Sequence, residues 1–183
     1  MKLYHGTTVP GIEILGVNSL NREGRQILYL TDNWAYSLFY IRDREINFVT
    51  CGVGRDGKVY YEEKFPGQLQ TLYRGMSGYV YETHASGAQT KIPGIYVCDQ
   101  NAAVNGVEYI PDVYDAIGME IRKGNVVFTS FEGLTPEQIR QNHHGMVLEF
   151  LGDRIQNPSR LAFLREHFPK AWAEAQEIRE RKR

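Results

Sequence analysis

Apolar and polar residues alternate in short runs along the first two thirds of the chain, which predicts many short strands. Most runs are bounded by glycine, proline, asparagine or aspartate, the residues that favour turns. The predicted strands are Leu3–His5, Ile27–Leu30, Ile46–Val53, Lys58–Glu63, Gly78–Thr83, Gly94–Cys98, Val107–Ile110, Ala116–Arg122 and Val126–Phe131.

Two of the predicted turns join neighbouring strands into hairpins. Gly54-Arg55-Asp56-Gly57 ends in Asp-Gly, a pair that supplies the positive φ of a tight hairpin turn. Lys123-Gly124-Asn125 stands between the last two strand candidates and predicts a second hairpin. Residues 84–91 are polar and contain glycine, which indicates a surface loop.

Helical spacing of apolar residues is confined to short segments and to the C-terminal third. Thr31 or Asp32 is the predicted cap of a helix whose apolar positions include Trp34 and continue to Ile41. Thr135, Pro136 and Gln138 form a predicted capping box. Further helices are predicted from Pro10 to Leu15, from Pro66 to Tyr73, and from Ser159 to the end with a break at Pro169.

Strands in the middle and helices near both ends predict an α+β fold in one domain, residues 1–183. The motifs described below lie in residues 1–131, and residues 132–183 are predicted to be helical. A composition of 42% hydrophobic and 23% charged residues is typical of a globular chain. The net charge of −1 disfavours a general nucleic-acid binder.

The two cysteines, Cys51 and Cys98, are too few for a disulfide-based fold and stand in apolar segments, so we expect buried thiols. The N-terminus lacks the apolar core of a signal peptide. Since no stretch approaches a membrane span, we expect a cytoplasmic protein with no membrane partner.

Two motifs carry candidate chemistry. The first is Tyr4-His5-Gly6-Thr7-Thr8, a strand that ends in histidine, glycine and hydroxyl residues. In the second, the strand residue Tyr29 is followed by Ser37 eight residues later and by Tyr40 eleven residues later, both on the predicted helix. In this order and spacing the chain resembles ADP-ribosyltransferases of the diphtheria-toxin and poly(ADP-ribose) polymerase type.

The resemblance implies a split β-sandwich of two small, mostly antiparallel sheets with NAD bound in the cleft between them. It implies that His5 hydrogen-bonds the adenosine ribose and that Thr7 lies beside the ribose. The Gly6 backbone and Ser37 would hold the nicotinamide carboxamide. The same resemblance implies an NAD-dependent mono-ADP-ribosyltransferase or NAD glycohydrolase that needs no metal.

The resemblance also implies that Tyr40 stacks on the nicotinamide and that Tyr29 closes the opposite side. The glutamate of the family begins a later strand, and Val107-Glu108-Tyr109-Ile110 has that form. Glu108, His5 and Tyr29 are therefore the predicted catalytic residues. Glu82 is the rival catalytic acid and Glu120 a weaker third.

These roles agree with the chemistry of NAD. Its nicotinamide ring is a cation, which an electron-rich tyrosine face attracts by roughly 0.5–2 kcal/mol. A glycine lets its backbone approach a flat amide closely. Cleavage of the nicotinamide–ribose bond develops positive charge on the sugar, and a carboxylate on the 2′-hydroxyl stabilises that charge.

Other motifs have simpler interpretations. His143 and His144 are adjacent on a predicted helix and point apart, so they do not form a metal site. The segment Gly52–Gly57 is rich in glycine but lacks the lysine of a P-loop, so a hairpin turn is the favoured interpretation. Gly106 stands two residues before Glu108, where arginine-specific members of the wider fold have Glu or Gln.

The sequence does not identify the acceptor of ADP-ribose, which could be a protein, a nucleic acid or a small molecule. Two alternative functions also remain open. The chain could be a catalytically silent ligand-binding or interaction module with this fold. It could also resemble the tRNA 2′-phosphotransferases, which need clustered arginines for phosphates. The candidate arginines are scattered along the sequence: Arg22, Arg25, Arg42, Arg44 and Arg74.

Overall fold

A computed structural model describes residues 1–20, 24–43, 51–152 and 155–182. It is a mixed α+β structure with antiparallel sheets and C-terminal helices, which confirms the predicted class. The chain forms two compact units. Unit 1 consists of Met1–Arg42, Val49–Tyr61 and Leu69–Phe128, and unit 2 of Asp43–Phe48, Glu62–Gln68 and Thr129–Arg183.

The strands are short and the helices become longer towards the C-terminus. The strands are β1 (Leu3–Thr7), β2 (Ile14–Leu15), β3 (Ser19–Leu20), β4 (Gln26–Thr31), β5 (Cys51–Val53), β6 (Val59–Glu62), β7 (Gly78–Thr83), β8 (Ala88–Gln89), β9 (Ile95–Cys98), β10 (Ala102–Ala103), β11 (Gly106–Ile110) and β12 (Val126–Thr129). The α-helices are α1 (Trp34–Leu38), α2 (Gln68–Tyr73), α3 (Val113–Arg122), α4 (Pro136–Leu151), α5 (Pro158–His167) and α6 (Pro169–Arg181).

The main sheet has the strand order β11-β7-β1-β4-β9-β8, with β3 also paired to β4. Its pairs are antiparallel. Strand β1 pairs with β7 along its whole length, from Leu3 to Thr7, but its ladder with β4 has one register pair, Tyr4 with Thr31. The sheet therefore loosens between β1 and β4 at the end of β1 that carries the first motif.

Alternation along the strands gives the main sheet two buried faces. On one face, Val80 and Ile110 pack with α1 and α3 through Leu38 and Ile117. On the other, Leu3, Leu30, Tyr81 and Tyr96 form a second core together with Leu15. A separate small sheet has the order β12-β6-β5, and its hairpin turn at Gly57 has φ +76°, as the Asp-Gly pair predicts.

Three element predictions were wrong: the helix from Pro10 to Leu15, the strand from Ala116 to Arg122 and the second hairpin at Lys123–Asn125. Residues from Pro10 to Leu15 do not form a helix, because Gly11 has φ +69° and Ile14–Leu15 pairs with Ala102–Ala103. Residues 116–122 belong to α3, whose first turn is capped by the Asp112 side chain accepting from the Asp115 amide. Lys123–Asn125 therefore joins a helix to β12 and does not close a second hairpin.

Helix α1 begins and ends differently from its prediction. Asn33, and not Thr31 or Asp32, is the N-cap, because its side chain accepts from the Tyr36 amide. The α-helix ends at Leu38, so Tyr40 follows it. The predicted strand Ile46–Val53 is observed only from Cys51, and its earlier residues lie outside the described part of the chain.

Unit 2 is built around its three helices. Phe150, Leu164, Ala171 and Ala175 form its buried core. The Thr135 capping box is confirmed, and so is the helix break at Pro169. Within the described ranges, none of the helices has the length and apolar character to cross a membrane.

Candidate functional site

His5 lies where β1 and β4 separate. Its Nδ1 is 3.1 Å from the Tyr29 carbonyl oxygen, so the imidazole binds backbone of β4 beyond the Tyr4–Thr31 pair. Alternation turns the His5 side chain to the face opposite that of Gly6. This contact joins two of the three predicted catalytic residues, His5 and Tyr29, in the gap of the sheet.

Strand register brings two predicted residues, Gly6 and Glu108, into one row across the sheet. Glu108 on β11 is opposite Val80 on β7, and Val80 is opposite Gly6 on β1. Directly opposed residues point to one face of a sheet, and Glu108 is two strands from Gly6, roughly 10 Å. That face is the one covered by α1.

Gly6 is in close contact with α1. A Cβ atom at position 6 would lie 1.9 Å from the Ser37 carbonyl oxygen and 3.2 Å from the Ile41 side chain. Only glycine therefore lets α1 pack at this distance on β1. This packing is a second reason for the glycine, beside the predicted contact of its backbone with a carboxamide, which stays a prediction.

Ser37 is fully buried on α1, and its hydroxyl donates to the Trp34 carbonyl at 2.6 Å. Because a hydroxyl has a single proton, Ser37 Oγ can act toward another group only as an acceptor. An acceptor suits the NH₂ of a carboxamide. Thr7 is buried as well, and its Oγ1 accepts from the Val9 amide at 3.3 Å. Its predicted place beside the ribose stays a prediction.

Tyr40 follows α1 and lies among polar aromatic and charged groups. Its ring meets Tyr36 edge to face at 5.3 Å, and the Arg42 guanidinium is 5.9 Å from its centroid. Burial is the largest cause that raises the pKa of Tyr40, and the Tyr29 phenol also raises it. The Tyr40 ring therefore already lies beside a cation, the Arg42 guanidinium.

Glu108 is exposed, and its Oε2 accepts a hydrogen bond from the Trp34 indole Nε1 at 3.1 Å. The sequence analysis assigned Trp34 to apolar packing of the helix and missed this contact. A tryptophan one residue after a helix cap gives no signal for such a role, because its partner is 74 positions away in the chain.

The rival glutamates have other partners. Glu82 on β7 pairs with Lys2 at 2.8 Å and with His84 at 3.4 Å, and the hydrogen bond from Lys2 is the main cause that lowers the pKa of Glu82. Glu120 is buried on α3 and accepts from Lys123 and Asn125, both at 2.7 Å. Glu120 therefore holds the C-terminal end of α3 through Lys123 and Asn125.

Other candidate motifs do not join this site. His143 binds Glu174 at 2.7 Å within unit 2. No group of three or more potential metal ligands occurs among residues 1–20, 24–43, 51–152 and 155–182. Arg74 lies over Tyr114 at 4.9 Å, while Arg42 lies by Tyr40, so these two arginines have different aromatic partners. Arg22 and Arg44 lie outside the described residues.

Both cysteines are free thiols. Cys98 is buried and Cys51 is partly exposed, so the expected burial is confirmed for Cys98. Burial raises the pKa of Cys51 to about 12, which leaves it protonated and unreactive at neutral pH.

An open cleft of 480 Å³ lies beside the start of α1. It contains none of the predicted site residues. Asp32, which lines it, accepts from the Tyr96 hydroxyl at 3.0 Å. The cleft is lined by Asp32, Asn33, Val53, Gly54, Arg55, Gly57, Pro93 and Gly94.

Comparison of the chain with protein-family models, with curated proteins and with solved structures returns no match.

Proposed function

We propose that this chain is an NAD-dependent ADP-ribosyltransferase or NAD glycohydrolase that cleaves the bond between nicotinamide and ribose. Its main sheet, loosened between β1 and β4, would be the split sheet of the ADP-ribosyltransferase fold. NAD would bind on the α1 side of that gap, and no metal takes part in the proposed reaction.

Two sets of contacts carry this proposal, one between β1 and β4 and one around α1. His5 binds the Tyr29 backbone, Gly6 packs on the Ser37 carbonyl, and Ser37 donates to the Trp34 carbonyl. Trp34 in turn donates to Glu108. Gly6, Ser37 and Glu108, which are distant in the sequence, are thus linked through α1, whereas the His5 side chain lies on the opposite face of the sheet.

The proposed reaction divides the work among these residues. Tyr40 and Tyr29 would bind the cationic nicotinamide ring, and Gly6 with Ser37 would hold its carboxamide. When the bond from ribose C1′ to nicotinamide nitrogen breaks, the electron pair leaves with nicotinamide, which becomes neutral. Glu108 would stabilise the positive charge that develops on the ribose. A lone pair of the acceptor or of water then bonds to C1′, and the attacking group releases its proton to solvent.

One observation favours a second candidate, a catalytically silent module of the same fold. Ser37 is fully buried, and the space that a side chain at Gly6 would need is filled by the Ser37 carbonyl. A chain in which these groups bind only each other would bind NAD weakly or hold a different ligand, without releasing nicotinamide.

Incubation of the purified chain with NAD and assay of free nicotinamide by chromatography tests the proposal. Release in buffer alone indicates hydrolysis, whereas release only with added cell lysate indicates transfer to an acceptor that labelled NAD would identify. Binding of NAD without release in either case supports the silent module. If the chain neither binds NAD nor releases nicotinamide, the proposal is wrong.

A further inference from the structure

Among the described contacts, the hydrogen-bond donor to the Glu108 carboxylate is the indole N–H of Trp34. Trp34 is partly buried at the start of α1, whereas Glu108 is exposed on β11, the strand at one end of the sheet order. The hydrogen bond between Trp34 Nε1 and Glu108 Oε2 is 3.1 Å long and joins these two elements.

An exposed glutamate on a terminal strand samples several side-chain rotamers, and ordering such a chain costs free energy. The indole is rigid, has a single N–H and is held by a helix, so it selects one carboxylate orientation. With Oε2 occupied, Oε1 stays available for another donor. A carboxylate arranged in this way is preorganised, which is what stabilises charge in a transition state.

The backbone that carries Trp34 is held at the start of α1. The helix cap Asn33 accepts from the Tyr36 amide at 2.9 Å and donates from Nδ2 to the Gly57 carbonyl at 2.7 Å, which ties the start of α1 to the β5–β6 turn. The Trp34 carbonyl accepts the Ser37 hydroxyl at 2.6 Å. One residue therefore contacts both the predicted carboxamide-binding serine and the predicted catalytic glutamate.

From this geometry we propose that Trp34 is a positioning residue, whose indole N–H orients the Glu108 carboxylate so that Oε1 faces the ribose of NAD. This inference rests on the proposed function. It assigns to Trp34 an effect on turnover that is exerted through Glu108, with little effect on the affinity for NAD.

Kinetics of Trp34→Phe test this role, because phenylalanine keeps a ring but removes the donor. We expect kcat for nicotinamide release to fall about tenfold or more, with KM for NAD within about threefold, since one charge-assisted hydrogen bond is lost. Trp172→Phe is the matched control in unit 2 and leaves both constants unchanged.

A double-mutant cycle separates positioning from a structural effect. If Trp34 acts through Glu108, then Trp34→Phe causes no further loss of turnover in a chain that already carries Glu108→Gln. Equal fold losses in both backgrounds would overturn the proposal, and so would a rise in KM that accounts for the whole effect of Trp34→Phe.

An NMR measurement does not depend on turnover or on a variant at Trp34. The chain has two tryptophans, so its indole N–H region contains two resonances. We expect Glu108→Ala to shift the Trp34 indole resonance and to leave that of Trp172 unchanged. Two unshifted resonances would show that the hydrogen bond is absent in solution and would overturn the proposal.

The two proposals fail in different ways. Absence of nicotinamide release from the natural chain overturns the enzymatic function, and the catalytic part of the present proposal with it, even if the indole resonance reports the Trp34–Glu108 bond. Release that is insensitive to Trp34→Phe overturns only the role of Trp34.

Discussion

At the residue scale, Glu108 differs from the other two candidate glutamates in having no cationic partner among its described contacts. We predict that Glu108→Gln lowers the rate of nicotinamide release at least ~100-fold and leaves NAD affinity within a few-fold, because the lost interaction acts in the transition state. Steady-state kinetics and calorimetry measure the two effects.

Glu82→Gln is the matched control on the neighbouring strand β7. Its carboxylate is paired with Lys2, so we expect turnover within about threefold of the natural chain. A large loss in Glu82→Gln together with normal turnover in Glu108→Gln would exchange the roles of the two glutamates.

Tyr40 is predicted to bind the nicotinamide through its ring. Tyr40→Ala should weaken NAD binding by roughly 0.5–2 kcal/mol, the range of a cation–π contact. Isothermal titration calorimetry measures this loss. Tyr40→Phe keeps the ring and should retain most of the affinity; equal affinity in Tyr40→Ala and the natural chain would exclude the stacking role.

The packing of α1 on β1 leaves no room for a side chain at Gly6. Gly6→Ala should lower the free energy of unfolding by about 1–3 kcal/mol or more, since its Cβ would lie 1.9 Å from the Ser37 carbonyl oxygen. Denaturant unfolding measures this change. Gly52→Ala is the control, because a Cβ at position 52 meets no atom within 4 Å. A stable Gly6→Ala chain would show that α1 does not pack this closely.

The candidate residues could be predicted from the sequence because they stand in short motifs with fixed spacing. His5, Gly6, Tyr29, Ser37 and Tyr40 needed only order and distance along the chain. Trp34 could not be predicted, since its role depends on a strand that folds against α1 from a distant part of the chain. A contact of that kind has no local signal.

At the element scale, α3 shows why alternation alone misleads. Ile117, Met119 and Ile121 alternate with other residues as in a half-buried strand, which produced the wrong prediction. The buried residues of α3 are Val113, Ile117 and Glu120, which follow helical spacing. Inclusion of Asp112 as a cap would have favoured the helix.

The order of strands in the main sheet also could not be predicted from the sequence. The site depends on β7 lying between β1 and β11, which sets Glu108 in the row of Gly6. Strand pairing between distant segments depends on which faces are buried together, and a single sequence does not encode it locally. The predicted strands themselves needed only alternation and turn residues, and those around the site are confirmed.

In unit 2, His167 is a titratable group packed against aromatic side chains. Its imidazole stacks on Phe65 at 4.0 Å and lies 4.3 Å from Phe163, and burial lowers the pKa of His167, with Glu166 partly opposing this. Because the folded state prefers the neutral ring, its contribution to stability is present above the unfolded pKa, about 6.5, and is lost as pH falls through the lower folded value.

We therefore predict that unfolding of the natural chain becomes easier between about pH 7 and pH 5, and that His167→Phe reduces this slope. Thermal unfolding at several pH values measures it. His144→Gln, at an exposed position of α4, should keep the natural slope. An unchanged slope in His167→Phe would exclude His167 as the titrating group.

At the scale of the whole molecule, the two units are not consecutive in the chain. Glu62–Gln68 belongs to unit 2, while the residues on either side, up to Tyr61 and from Leu69, belong to unit 1. Composition and periodicity could predict a strand-rich part up to residue 131 and a helical part after it. They could not predict that Glu62–Gln68, a short segment of the first part, belongs to unit 2. Phe65, the aromatic residue of that segment, has no sequence feature that distinguishes it from other apolar residues.

We predict that a chain ending at residue 131 folds poorly. Phe65 is buried and contacts Phe163, His167 and Phe168, so truncation would expose it. Light scattering and the fraction of soluble protein measure the result. Phe65→Ser in the truncated chain should improve solubility, whereas a well-folded, monomeric 1–131 chain would contradict the prediction.

The passage of residues 62–68 out of one unit and back has a consequence for how such a protein can be inherited. A gene fragment that encodes only the motif-bearing region, residues 1–131, includes Phe65 but not its aromatic partners Phe163, His167 and Phe168. Recombination or fusion near residue 131 therefore separates Phe65 from the side chains that pack on it. We expect the sequences of the two parts to evolve together.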